Sequence, residues 1–246
     1  MIEVRALTKS FRDKKRGTFR AVDELSFDCP RGQVFGLLGL NGAGKTTTLR
    51  VLATMLKPDS GTAKVAGFDL LDDPESVRRK IGFLTGNTGL YLRLTGREIL
   101  HYFGQLEGMT RKAVDDRITT FSQLLDMESF LDTRVDKYST GMKQKVSIAR
   151  TLIHDPPVLI LDEPTLGLDV VTSRAIVEFI RAAKSDGKAV IFSTHHMHEA
   201  ARLCDTIGVI HEGRMKRLAT LADLKREYAT EDLDTIFLRI IEDGQP

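Results

Sequence analysis

The sequence is short of charge imbalance, of cysteine and of long apolar runs, and each shortage removes a class of protein. Among 246 residues, 36 are Lys or Arg and 34 are Asp or Glu, a formal charge of only +2. A nucleic-acid binder of this size gathers a basic excess on one face, so no nucleic-acid partner is expected. The two cysteines, Cys29 and Cys204, sit in unrelated segments. They are too few for a disulfide framework and read as reduced thiols in a reducing compartment. No stretch approaches the roughly 18 consecutive apolar residues of a membrane-spanning helix. The first residues, Met1-Ile2-Glu3-Val4-Arg5, read as a strand rather than a signal peptide, so the chain is expected to stay in the cytoplasm. Internal repeats, low-complexity linkers and sustained heptads are also missing.

What is present begins with Gly39-Leu40-Asn41-Gly42-Ala43-Gly44-Lys45-Thr46. This fits the phosphate-binding pattern G-x-x-x-x-G-K-[ST]. Its glycines let successive backbone N–H groups turn inward on a phosphate chain. Lys45 supplies a point charge for the β- and γ-phosphates, and the Thr46 hydroxyl suits Mg²⁺. The preceding Gln33-Val34-Phe35-Gly36-Leu37-Leu38 reads as a buried strand, and residues 46–56 lack Gly and Pro and read as a helix. The positive N-terminus of that helix favours an anion.

Far downstream lies Val158-Leu159-Ile160-Leu161-Asp162-Glu163-Pro164. Four branched apolar residues in a row suit a parallel strand buried on both faces. Asp162 at its carboxyl end is placed to hold Mg²⁺ through water, and Glu163 to orient a water on the γ-phosphate. Further segments are Tyr138-Ser139-Thr140-Gly141-Met142-Lys143-Gln144-Lys145, which opens a helix with Ser139 as its N-cap, Thr165-Leu166-Gly167-Leu168-Asp169, and Ser193-Thr194-His195 after the apolar Ala189-Val190-Ile191-Phe192. The cluster His195-His196-Met197-His198 lacks the i, i+4 helical spacing of a zinc site, and no paired cysteines or acidic cluster lie nearby.

This set, in this order, resembles the nucleotide-binding domains of ABC transporters, and the resemblance runs from Met1 to about Leu224. It implies that Gly39, Asn41, Gly42, Ala43, Gly44, Lys45, Thr46 and Thr47 bind nucleotide as the Walker A loop. It implies Asp162 as the Walker B acid, Glu163 as the catalytic glutamate, Asp169 as the D-loop acid and His195 as the switch histidine at the γ-phosphate. Phe11 matches the aromatic that stacks on adenine. Ser139 and Gly141 match the signature loop, which contacts the ATP held by the opposite subunit. Lys45, Glu163 and His195 are thus the candidate catalytic residues, and Thr46 and Asp162 the candidate metal ligands.

Two departures stand out. The usual Leu-Ser-Gly-Gly-Gln reads here Tyr138-Ser139-Thr140-Gly141-Met142. The small Thr140 leaves the trans contact expected. The family's Mg²⁺-sensing Gln falls at Gly86, where neighbouring Asn87 and Thr88 are the candidates to replace it. Gly86-Asn87-Thr88-Gly89-Leu90-Tyr91, together with Ser139-Thr140-Gly141-Met142, resembles the branch of bacterial sodium-efflux ABC ATPases.

The resemblance implies an α/β chain with a P-loop NTPase (RecA-like) core, an N-terminal antiparallel β-layer and an inserted helical subdomain. The expected division is an ATPase domain over 1–225, its helical subdomain at about 87–152, and a C-terminal helical tail over 226–246 packed on the core. Thr95 with Glu98 reads as a capping box opening the helical section 95–131. The implied activity is hydrolysis of ATP with Mg²⁺, powering efflux, with Na⁺ the candidate cargo, through a separate integral membrane permease. A second nucleotide-binding domain, expected as a homodimer, completes each site. The chain would sit at the cytoplasmic face of the cell membrane. The rival class is a soluble ABC ATPase of translation or DNA repair, but those fuse two nucleotide domains or insert a long coiled coil. A P-loop kinase has no need of the signature loop, and the Asn-Lys-x-Asp base reader of a GTPase is missing.

Overall fold

Alternation of apolar and polar residues builds the first layer. In the computed structural model, which describes residues 1–13, 17–85 and 89–242, β1 (Ile2–Asp13) and β2 (Gly17–Cys29) form a long antiparallel hairpin. Ile2, Val4, Leu7, Val22, Leu25 and Phe27 are buried on its inner face. The bulges between Val4 and Ser10 let one long strand change its twist without ending. The chain then leaves this sheet for β3 (Val34–Leu38), buried at every position, and α1 (Lys45–Leu52). It returns for β4 (Ser60–Val65) and β5 (Phe68–Asp69), which complete a four-stranded sheet in the order β2-β1-β4-β5.

The helix α1 ends earlier than its sequence suggests. No Gly or Pro stops it at Leu52. Instead Thr54 takes a left-handed φ of +58°, and Met55 N–H closes back on the Arg50 carbonyl. A short helix, α2 (Pro74–Lys80), escaped the sequence reading, although Asp73 caps it and Pro74 occupies its first turn.

After β6 (Ile81–Leu84) come α3 (Gly96–Leu106), α4 (Arg111–Leu124), a single tight turn at Val135–Lys137, and α5 (Thr140–Leu152). The Thr95–Glu98 capping box is present, with both reciprocal bonds made. Strand and helix then alternate through β7 (Val158–Asp162), α6 (Val170–Ser185), β8 (Ala189–Thr194), α7 (Met197–Leu203) and β9 (Thr206–His211). The chain closes with β10 (Arg214–Thr220), α8 (Leu221–Glu227) and α9 (Leu233–Glu242), which buries Leu233, Ile236, Phe237, Ile240 and Ile241.

The second sheet has the order β10-β9-β3-β8-β7-β6; β9, β3, β8, β7 and β6 run parallel, and β10 adds antiparallel at one edge. Successive residues of its strands face two cores. Val158, Ile160 and Ile191 pack toward the antiparallel sheet and α1, whereas Leu159, Leu161 and Phe192 pack toward the helices, including the apolar stripe of α9. This sandwiching explains the unbroken apolar runs of the central strands.

The topology also sets the site. β8 lies between β3, which feeds the glycine loop, and β7, which ends in the paired acids. In register Leu38 meets Thr194, and Asp162 meets Ser193. The carboxyl ends of β3, β8 and β7 therefore come level, where open α/β sheets bind ligands. This is the expected RecA-like core with an N-terminal antiparallel layer. Among the described residues no helix is long and apolar enough to cross a membrane.

Candidate functional site

The loop between β3 and α1 has the conformation a phosphate cradle needs, and close packing explains two of its glycines. Gly44 has φ +108°, and a Cβ there would sit 2.2 Å from the Ala21 carbonyl oxygen of β2. A Cβ on Gly39 would sit 2.4 Å from the Ile210 carbonyl oxygen. The hairpin turn after β9 locks the loop from outside, with Gly213 N–H donating to the Ala43 carbonyl at 2.9 Å. Gly44 offers α1 no side-chain cap, so the first-turn N–H groups stay available to an anion.

Lys45, only 5% exposed, folds over the loop, donating from Nζ to the Gly39 carbonyl at 2.8 Å and the Leu40 carbonyl at 3.2 Å. Burial lowers its ammonium pKa, while Glu163 and Asp162 pull the other way. Its Nζ lies 3.7 Å from Glu163 Oε1, and His195 Nδ1 lies 3.2 Å from the same oxygen. The sequence placed these three far apart along the chain, and the fold brings them to one carboxylate.

Beside them, Thr46 Oγ1 donates to Asp162 Oδ1 at 3.1 Å, and Ser193 Oγ donates to the same oxygen at 2.6 Å. Ser193 is fully buried and also accepts from Glu163 N–H at 3.1 Å. Glu163 itself is left-handed, with φ +47°, although a residue before proline prefers extended backbone.

A cleft of about 420 Å³ opens over this cluster, lined by Phe11, Phe19, Asn41, Gly42, Gly44, Lys45, Thr46, Thr47 and Glu163. Phe11 and Phe19 are cross-strand partners at the end of the first hairpin, with ring centroids 6.1 Å apart. Phe19 was missed in the sequence because its pairing with Phe11 depends on the hairpin register. Ser193 was missed as an active polar group because it reads as part of an apolar strand.

The remaining candidates lie elsewhere. Ser139 caps α5, accepting from Met142 N–H at 3.2 Å. Asp169 caps α6 through Thr172, whose N–H and hydroxyl hold the carboxyl below its usual pKa. Gly141 packs against Thr172, where a Cβ would meet Oγ1 at 3.0 Å. Ser139, Gly141 and Asp169 thus share one neighbourhood that is not part of the Lys45 cleft. Gly86, Asn87 and Thr88 lie outside the described residues.

Comparison with known proteins agrees with this geometry. The family model described as ABC transporter matches residues 22–166. The ABC transporter ATP-binding protein NatA of Bacillus subtilis is 43% identical over 239 residues, covering 97% of each chain. A solved structure of an ATP-binding subunit of an ABC transporter superposes with TM-score 0.87 at 30% identity, covering 98% of this chain and 99% of the other. The ATP-binding cassette MJ0796, solved as a dimer in a post-hydrolysis state with ADP and Pi, gives 0.80 at 25% identity over 89% of this chain and 98% of its own. A family match over more than half of the sequence, joined to a relative of equal extent, settles the affiliation: the chain belongs to the ABC transporter family, as an ATP-binding and ATP-hydrolysing subunit.

Proposed function

We propose that the chain hydrolyses ATP at the Lys45 cleft, across the interface of two copies, to drive efflux of a small cation by a separate membrane subunit. The observation that carries the catalytic part is the meeting of Lys45 and His195 on Glu163 Oε1. In this reading Phe11 and Phe19 stack on the base. The loop N–H groups and Lys45 hold the phosphate chain. Glu163 orients the attacking water, and His195 reaches from the neighbouring strand end to the γ-phosphate as charge develops there. Ser139 and Gly141 act on the nucleotide of the partner copy, which accounts for their distance from their own cleft, and Asp169 lies at the same interface. The arrangement is supported by the dimeric MJ0796 cassette.

Mg²⁺ fits the donor set. Thr46 Oγ1 and Asp162 Oδ1 are hard oxygens 3.1 Å apart, and among the described residues no group of three or more His, Cys, Asp or Glu forms a cage for a metal. That suits a cation that keeps waters and takes substrate phosphate oxygens. Bound there, the ion supplies charge neutralisation of the β- and γ-phosphates.

We further assign residues 1–225 to the ATPase domain, with α3, α4 and α5 in its helical subdomain, and 226–246 to the tail. The permease docks on the helical side. Tyr91, Leu92, Tyr102 and Leu106 expose apolar surface there, 44–64% accessible. In this reading the chain sits at the cytoplasmic face of the membrane.

The sodium cargo rests on the resemblance of residues 86–91 and 139–142 to sodium-efflux ABC ATPases. The test is reconstitution. The isolated chain hydrolyses MgATP no faster in Na⁺ than in K⁺ at equal ionic strength, and Na⁺ dependence with Na⁺ flux appears once the permease is present. Na⁺-specific activation of the isolated chain defeats the division of labour. Export of a drug or lipid without ion flux removes sodium and leaves the ATPase standing.

A further inference from the structure

Glu163 is held in an uncomfortable conformation. Its φ of +47° is one that side-chain-bearing residues rarely adopt, and Pro164 restricts it further. Such a backbone persists only when its surroundings over-determine it. Upstream, Ser193 does this, accepting the Glu163 N–H with both its carbonyl and its hydroxyl oxygen at 3.1 Å. Downstream, two side chains from distant elements do so. Gln144 of α5 donates from Nε2 to the Pro164 carbonyl at 2.7 Å. Thr165, 5% exposed, donates from Oγ1 to Glu199 Oε2 of α7, also at 2.7 Å. The same Glu199 oxygen lies 3.5 Å from Thr194 Oγ1, which accepts the His196 N–H at 2.9 Å. Glu199 therefore ties the residue after Pro164 to the loop that carries His195.

We propose that Gln144 and Glu199 are positioning residues that clamp Pro164 and Thr165 from opposite sides, and so hold the Glu163 carboxylate beside Lys45 and His195. With either arm gone, the left-handed backbone has a neighbouring extended state to relax into. The carboxylate then swings away from the water it must orient. Neither side chain lines the Lys45 cleft, so the clamp acts on turnover and leaves nucleotide binding alone. Gln144 also rides on the helix that Ser139 caps, which gives that end of α5 a direct hold on Glu163.

This inference rests on Glu163 orienting the water, and the experiment separates the two claims. Gln144→Glu keeps the size and removes the donor. Glu199→Ala removes the acceptor, and Glu199→Gln restores one. Each is measured in the full-length chain for steady-state ATP turnover and for binding of a fluorescent ATP analogue, alone and combined with Glu163→Gln. Gln144→Glu and Glu199→Ala are expected to lower kcat about 10- to 100-fold, as a displaced catalytic group does. Nucleotide affinity stays within about twofold, Glu199→Gln recovers most of the rate, and on the Glu163→Gln background neither substitution lowers the residual rate further. If Glu163→Gln abolishes turnover while Gln144→Glu keeps the parental kcat, the clamp is wrong, and it is equally wrong if Glu199→Ala folds and keeps the parental kcat. Equal losses with and without Glu163 also overturn it, because the effect then does not pass through that residue. Parental turnover by Glu163→Gln itself overturns the underlying reading, and the clamp with it.

Discussion

At the scale of single residues, burial and charge at the cleft set two expectations. Glu163→Gln keeps shape and removes the base, so ATP binding survives while turnover falls by about 100-fold or more. The ATP-bound dimer should then accumulate on gel filtration; near-parental phosphate release would contradict the assignment. Lys45 concerns pH. Burial sets its pKa below the ordinary lysine value in the free protein, and a bound phosphate chain raises it. Between those two values binding takes up a proton, so affinity is full below the free-state pKa and declines as pH rises toward the bound-state one. Calorimetry in buffers of different ionisation heat should show proton uptake that grows as pH rises toward the ordinary lysine range. No uptake at the alkaline end would mean that Lys45 does not meet the phosphates.

At the scale of elements, the glycine loop and its helix were readable because their sequence rules are local. The Lys45 register, the Ser139 cap and the Thr95–Glu98 box needed only their own neighbours. Elements whose boundaries depend on packing were not readable: α1 stops where Thr54 turns left-handed, and the first hairpin runs on through bulges. The loop nevertheless depends on distant backbone. Gly44→Ala would push a methyl group 2.2 Å from the Ala21 oxygen, at a φ of +108° that disfavours any side chain. Loss of measurable ATP binding is expected, together with a urea midpoint lowered in proportion to about 1–3 kcal/mol of strain. Unchanged ATP affinity in this variant would show that the loop tolerates displacement from β2.

At the scale of the whole molecule, the separation of Ser139, Gly141 and Asp169 from the Lys45 cleft predicts complementation. Lys45→Ala should lose nucleotide affinity in the monomer. Ser139→Ala should keep it, lose dimer closure, and give up about 1 kcal/mol of cap energy. Mixing the two dead variants restores one intact site per heterodimer and with it part of the ATPase rate. Equal loss of ATP affinity in both monomers would argue that Ser139 serves its own cleft.

The sequence by itself determined the phosphate loop, the paired acids, the α/β class and the family. Each of these is written in contiguous residues whose spacing obeys helix, strand or turn rules. Tertiary structure alone decided which of the separated groups meet. Strand β8 inserted between β3 and β7 brings His195 and Ser193 to the acids, and hairpin register pairs Phe19 with Phe11. Gln144 and Glu199 reach the segment after Glu163 from residues 20 and 34 positions away. Local rules say nothing about such contacts, because they are set by how the sheets and helices pack rather than by the order of residues along the chain.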